Sequence, residues 1–182
     1  RDDFNVQIVD GKITDAFRIE QSMPTINALR AGGAKIAICA HLGRPKGTRN
    51  MEFSLKPIAK YMGVPLISDC LDRNFMDEMR DGDVVLLENV RFYAGEEKND
   101  PTFAADLARG FDLFVNDAFA VSHRDHASTV GVAEILPSYA GKLLASEIES
   151  LDAVMTRPAR PLTAIVAGSK VSTKIGVLKA LA

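Results

Sequence analysis

Five arginines stand where predicted strands end or helices begin: Arg1, Arg18, Arg44, Arg91 and Arg124. Three of them have a histidine or asparagine close by, His41 before Arg44, Asn89 before Arg91 and His123 beside Arg124. The pattern repeats along the chain. The apolar run Ile36-Ala37-Ile38-Cys39-Ala40 leads into His41-Leu42-Gly43-Arg44-Pro45. Val84-Val85-Leu86-Leu87 leads into Glu88-Asn89-Val90-Arg91-Phe92, and Leu113-Phe114-Val115 into Asn116-Asp117-Ala118-Phe119. A guanidinium is a planar fork that meets phosphate or carboxylate oxygens two at a time and stays charged at any working pH. A lone arginine is usually solvated or paired. Several at the carboxyl edge of a parallel sheet, where open α/β folds gather ligands, point to a small anion.

Other polar groups carry weaker signals. His41, His123 and His126 lack the paired spacings of a zinc site, so a packed or anion-facing role is the expectation. Ala167-Gly168-Ser169-Lys170-Val171-Ser172-Thr173-Lys174 follows a predicted strand and opens a predicted helix, which would present backbone N–H groups to an anion. It is not a Walker A loop, because the glycine five residues before a Gly-Lys pair is absent. Lys170 and Lys174, four apart, share one face of that helix. Glu88 and Asp117 are expected to pair with the arginines rather than to shuttle protons.

The elements that must position these groups alternate between strand and helix. Strands are expected at Phe4 to Val9, Lys35 to Cys39, Val64 to Ile67, Asp83 to Leu87, Asp112 to Val115 and Leu162 to Val166. Asp15 reads as the cap of a helix that Pro24 should break or kink, and Asp10-Gly11 as a turn. Helices are expected at Leu55 to Met62 behind Ser54, Asp72 to Met79, Phe103 to Arg109 behind Asp100-Pro101, Lys142 to Thr156, and Ser172 to Leu181. Arg157-Pro158-Ala159-Arg160-Pro161 reads as a joint. Together these give an α/β class with a mostly parallel sheet.

Composition bounds the partners. The 182 residues are 47% hydrophobic, enough for a sizeable core, and the formal charge is −2, so no global field recruits nucleic acid or an anionic membrane. Cys39 and Cys70 read as reduced thiols, and the cytoplasm is the expected compartment. No run approaches a membrane span. The chain opens on Arg1 and closes on Ala182 inside a helix-like stretch, and both ends are expected to be cut from something longer.

Taken together, the segments closely resemble phosphoglycerate kinases. Arg1-Asp2-Asp3-Phe4-Asn5-Val6 resembles the family's opening signature. The His41–Pro45, Leu87–Phe92, Gly95–Asp100, Val115–Phe119, His123–Thr129 and Gly168–Lys174 blocks follow in family order. The resemblance implies a Rossmann-like three-layer domain over residues 1–141 that binds 3-phosphoglycerate or 1,3-bisphosphoglycerate. It implies an interdomain helix and hinge over 142–160, and the first strand and helix of a second α/β domain, which binds nucleotide, over 161–182. Arg1, His41, Leu42, Gly43, Arg44, Arg91, His123 and Arg124 would grip the acid, and Asp3 and Asn5 its hydroxyl and carboxyl end. Arg18 would reach the transferring phosphoryl group, and Lys174, helped by Lys170, would neutralise it from the nucleotide side, where Gly168 and Ser169 line the phosphates. Mg2+ would arrive with ATP or ADP, its carboxylate ligand lying beyond residue 182.

Some positions depart from the family pattern. Ala120 and Ala167 stand where glycines are usual, Asp2 where an apolar residue is common, and Gln7 where proline is. If Ala120 needs a positive φ, the His123 loop would shift. The implied activity is reversible phosphoryl transfer between 1,3-bisphosphoglycerate and ADP by a monomer, with no turnover expected from these 182 residues alone. Two rivals remain: a silent domain that binds a phosphorylated acid without transfer, and a nucleic-acid module, which the acidic balance and missing aromatic platforms disfavour.

Overall fold

The computed structural model describes residues 1–163, 165, 175 and 176. It divides into two compact units, Arg1–Leu144 and Ala145–Ala182. The expected strand Leu162 to Val166, the phosphate-facing loop at 167–174 and the helix Ser172 to Leu181 lie almost wholly outside the described residues, and Ala167 with them.

The first unit begins with an extended segment, then a hairpin of β1 (Ile8–Val9) and β2 (Lys12–Ile13). Asp10 and Gly11 supply the two positive φ angles, 49° and 70°, that a tight hairpin turn requires. The strand expected over Phe4 to Val9 is therefore confined to its last two residues. Phe4 is instead a fully buried side chain.

Helix α1 (Phe17–Ala31) runs through Pro24 without ending. Pro24 and Glu20 both lie on the exposed side, where water can hydrate the carbonyl that loses its helical partner. Asp15 accepts the Phe17 N–H at 2.9 Å, but the N-cap position of α1 is Ala16, one residue later than expected, and no side chain caps it there among the described residues. Helix α2 (Lys56–Met62) starts behind Ser54, whose hydroxyl accepts from Lys56 N at 3.2 Å, with Pro57 in the first turn. Helix α3 is only Phe75–Glu78, shorter than the expected Asp72 to Met79. The Asp69 and Asp72 carboxylates capture the N–H groups of Leu71 and Asn74, a local alternative that competes with helix.

Strands β3 (Ile36–Ile38), β5 (Val84–Leu87) and β4 (Leu66–Ile67) pair in that order, all parallel. Helix α4 (Pro101–Ala108) is capped by Asp100, which accepts from Phe103 N at 2.9 Å. Strand β6 (Phe114–Asn116) pairs in parallel with β7 (Ser138–Ala140), whose three residues are all exposed and which no hydrophobic alternation announces. Helix α5 (Val132–Ile135) precedes it, and α6 (Lys142–Thr156) follows, with the span read from its apolar spacing.

The parallel strands thus form two ribbons, and the first residues of the chain join them. Arg1 N donates to Val115 O at 2.7 Å, Asp117 N donates to Arg1 O at 2.9 Å, and Asp2 N donates to Cys39 O at 3.0 Å. An apolar-walled cavity of about 130 Å³ lies beneath this junction, lined by Ile36, Ile38, Leu113 and Val115 among others.

Successive strand residues point to opposite faces, which separates two cores. Ile38 and Leu86 pack with Ile19 and Ile26 of α1 and Ile58 of α2. Their neighbours Cys39 and Leu87 pack with Phe103 and Leu107 of α4 and Val132 of α5. Helices therefore cover both faces of the β3–β5 sheet. This is the three-layer α/β arrangement, and it explains why these strands are apolar throughout. Both cysteines are buried free thiols.

Candidate anion site

The loops that follow β3, β5 and β6 all leave from the carboxyl ends of their strands, where the opening segment also arrives. Four of the expected site residues are brought into one cluster there. His41 is almost fully buried, 2% exposed, and its Nδ1 lies 3.1 Å from Arg1 Nη2. A guanidinium can only donate, so this contact needs an unprotonated Nδ1 and leaves the ring's proton on Nε2. Burial first, then the charges of Arg1, Arg91, Arg124 and His126, push the imidazole down from 6.5 to about 2. His41 is therefore a neutral hydrogen-bonding group, and the positive charge of the cluster comes from the arginines.

Arg1 is itself buried, and its Nη1 also reaches Cys39 Sγ at 3.7 Å. Arg91, 2% exposed, sits in a single 3-10 turn (Val90–Phe92) at the end of β5. Its Nη1 donates to Gly43 O at 2.8 Å, and its Nε faces Glu97 Oε1 at 3.4 Å. Its Nη2 is buried without a hydrogen-bond partner among the described residues. Burial and the neighbouring Arg124 and Arg1 pull Arg91 below the usual arginine range, with Glu97 opposing. Arg124 is half-buried, and its charge acts on His41, Arg91 and His126 alike. Buried guanidinium donors without partners among the described residues, held among like charges, are the setting that an anion would stabilise.

The remaining expected residues surround this cluster at different removes. Asn5 Oδ1 accepts from Gly43 N at 2.9 Å, which ties the opening segment to the His41–Arg44 loop. Asp3 is buried and accepts from Asn5 N and from Arg18 Nη1, so Arg18 is held at the edge by an ion pair. Leu42 is buried, and Gly43 has a φ of 61°. Arg44 and His123 lie exposed on their loops, with no hydrogen bond or ion pair to the cluster among the described residues. Gly168, Ser169, Lys170 and Lys174 lie outside the described residues. Among the described residues no group of three His, Cys, Asp or Glu side chains is arranged to hold a metal ion.

Two expectations are corrected. Among the described residues Glu88 and Asp117 pair with no arginine. Glu88 is 1% exposed and accepts from Ser54 Oγ, Leu55 N and Asn89 N at 2.7, 2.7 and 2.9 Å. Asp117 accepts from Leu144 N at 3.0 Å. Main-chain amides that strand ends and helix starts leave free take these carboxylates before any guanidinium reaches them. Ala120 lies in the 3-10 turn Phe119–Val121 and outside the positive-φ positions, so its side chain carries no backbone strain.

Sequence reasoning missed Glu96 and left His126 between a packed and an anion-facing role. Glu96 is fully buried and accepts from Ser128 Oγ and N at 2.6 and 2.9 Å. His126 Nδ1 lies 3.8 Å from Glu96 Oε1. The only sequence signal was that Glu96 falls in the Gly95–Asp100 block.

The family model described as phosphoglycerate kinase matches residues 1–182. The chain belongs to the phosphoglycerate kinase family. It is 50% identical to the phosphoglycerate kinase of Borrelia garinii subsp. bavariensis over 100% of this chain and 48% of that protein. The phosphoglycerate kinase of Sinorhizobium fredii gives the same figures. Among solved structures, phosphoglycerate kinase from Coxiella burnetii superposes with a TM-score of 0.87 at 44% identity, covering 98% of this chain and 47% of that one. That from Pyrococcus horikoshii OT3 gives 0.84 at 31%, covering 98% and 48%. The chain thus spans about half the length of the phosphoglycerate kinases it matches.

Proposed function

We propose that residues 1–141 form the acid-binding domain of a phosphoglycerate kinase, which holds 3-phosphoglycerate or 1,3-bisphosphoglycerate for reversible phosphoryl exchange with ADP and ATP. The observation that carries this reading is the convergence of Arg1, Arg91 and Arg124 on a neutral, buried His41. Three cations and a hydrogen-bonding imidazole suit a small acid with a phosphate at one end and a carboxylate at the other. Arg44 and His123 complete the grip from their exposed loops, and the Leu42-Gly43 backbone lines it. Asp3 and Asn5 meet the hydroxyl and carboxyl end.

Phosphoryl transfer asks the protein mainly for positioning and charge neutralisation, since the moving group spreads its charge over three oxygens. Arg18, half-exposed at the edge and steadied by Asp3, supplies charge from the acid's side. Lys170 and Lys174, with Gly168 and Ser169 at the nucleotide phosphates, supply it from the other, and Mg2+ enters with the nucleotide. Residues 142–160 act as interdomain helix and hinge, and 161–182 open the nucleotide-binding domain. The reading is that of a monomeric, cytoplasmic glycolytic kinase. No described helix is long and apolar enough to cross a membrane.

Calorimetric titration of the chain with 3-phosphoglycerate tests this reading. Binding that weakens about ten-fold or more in Arg91→Ala and Arg124→Ala supports it, since each loses a charge-assisted contact. Equal affinity in wild type and both variants overturns it.

A further inference from the structure

Two buried carboxylates flank Arg91 in sequence, and neither touches it through a hydrogen bond. We infer that Glu88 and Glu96 are positioning residues for anion recognition, each anchoring one of the two loops that bring partners to Arg91. The inference rests on the acid-binding reading and says what sets that site's selectivity.

Glu88 works on the first loop. Its three accepted hydrogen bonds, from Ser54 Oγ, Leu55 N and Asn89 N, use both oxygens and fix the start of the turn. That leaves the fully buried Asn89 side chain oriented to donate from Nδ2 to Leu42 O and Phe53 O at 2.8 and 2.9 Å. Its Oδ1 accepts from Arg91 N at 3.1 Å, and Arg91 Nη1 then takes Gly43 O. The carbonyls of Leu42 and Gly43, between His41 and Arg44, are thus both held from the Glu88 turn.

Glu96 works on the second loop. Its two oxygens accept from the hydroxyl and the N–H of Ser128, and its carbonyl accepts from Ala127 N at 2.9 Å. Thr129 Oγ1, next along, donates to Arg124 O and His126 O at 3.0 Å each. The loop that carries Arg124 is therefore pinned to Glu96, with His126 lying against the same carboxylate. Burying two carboxylates is costly unless every oxygen is bonded, and here the bonds go to loop atoms rather than to the arginines. One short segment, Glu88–Glu97, thereby supplies a cation and sets the distance between two others.

A three-carbon acid with two charged ends must satisfy both loops at once, so its affinity depends on their spacing. Inorganic phosphate needs only one set of donors. The test titrates the chain with 3-phosphoglycerate and, separately, with inorganic phosphate, in wild type, Glu88→Gln, Glu96→Gln, Ser54→Ala and Ser128→Ala, each checked by thermal melting. The serine variants leave the carboxylates in place, so they carry the test if a Gln variant fails to fold. Ser128→Ala removes one donor, and Ser54→Ala removes one donor together with the acceptor of Lys56 N, so Ser128→Ala is the cleaner of the two. The expected result is about five-fold or greater weakening for 3-phosphoglycerate, with phosphate binding changed less than about two-fold. Equal losses for both ligands, or unchanged 3-phosphoglycerate binding in folded variants, would overturn the inference. If wild type binds no 3-phosphoglycerate, the acid-binding reading fails instead.

Discussion

Asp117 Oδ1 accepts the Leu144 N–H at 3.0 Å, so a residue at the end of β6 caps the first turn of α6. Thr25 Oγ1 accepts the Lys142 N–H at 2.8 Å. A helix start leaves its first amides unpaired, and an anionic acceptor there also meets the positive end of the helix dipole. Asp117→Ala should cost about 1–2 kcal/mol, while Asp117→Asn keeps an acceptor and should cost less. Gly141 leaves no room for a methyl group, because a Cβ would collide with Asp117 Oδ1. Gly141→Ala should therefore destabilise by a similar amount. Urea unfolding of the three variants checks the order, and an Asp117→Ala chain as stable as wild type would remove the capping role.

Gly43 offers a second measurement, with an internal control. Its φ is 61°, and a Cβ would strike the Phe53 ring. Gly63 has nearly the same φ, 67°, but opens on empty space. Gly63→Ala should lose about 1 kcal/mol, the cost of a side chain in the left-handed region. Gly43→Ala should lose that plus the cost of overpacking, about 2–4 kcal/mol in all. It should also weaken 3-phosphoglycerate binding, because Gly43 links Asn5 and Arg91. Equal losses at the two glycines would mean that the Phe53 ring simply turns aside.

Much of this arrangement was legible because it depends on local rules. β3 and β5 are apolar runs buried on both faces, α6 shows helical spacing, and Asp100-Pro101 is a helix start that needs no tertiary partner. His41 and Arg91 stood out because they follow those runs directly. The partners of the charged groups were less visible. Glu88 and Asp117 looked like counter-ions for arginines, yet the competition for them is decided by which main-chain amides the fold leaves unpaired. Glu96 sits in the acidic, polar run Glu96-Glu97-Lys98-Asn99-Asp100, which reads as solvated surface until Ser128 is folded over it. Likewise β7 carries no alternation, since its pairing with β6 is set by backbone groups alone.

The two cysteines should be chemically silent in the native chain. Cys70 is fully buried, and Cys39 nearly so. Burial is the largest cause that raises both thiols above their usual range, so little thiolate is available to a reagent. A disulfide-exchange reagent such as Ellman's should titrate both only after denaturant is added. Under native conditions the rate should follow unfolding, slowing in proportion as added 3-phosphoglycerate stabilises the fold. Fast stoichiometric labelling of the folded chain would contradict the placement of these thiols in the core.

His41 makes stability depend on acid. Its folded-state value of about 2 lies far below the 6.5 of a free imidazole. As the pH falls below 6.5 the unfolded chain takes up a proton that the folded chain refuses. Stability from the neutral imidazole is therefore complete above pH 6.5 and is lost progressively down to about pH 2. Between about pH 7.5 and 5.5 this one group should remove about 1.4 kcal/mol. His126 is lowered too, chiefly by burial, and acts in the same direction, so the wild-type curve alone does not isolate His41. His41→Gln, which cannot titrate, does. Unfolding free energies from urea titrations of the variant should fall by about that much less over this range than those of wild type. Parallel pH curves would mean that His41 protonates freely, and that Arg1 does not hold its Nδ1 as an acceptor.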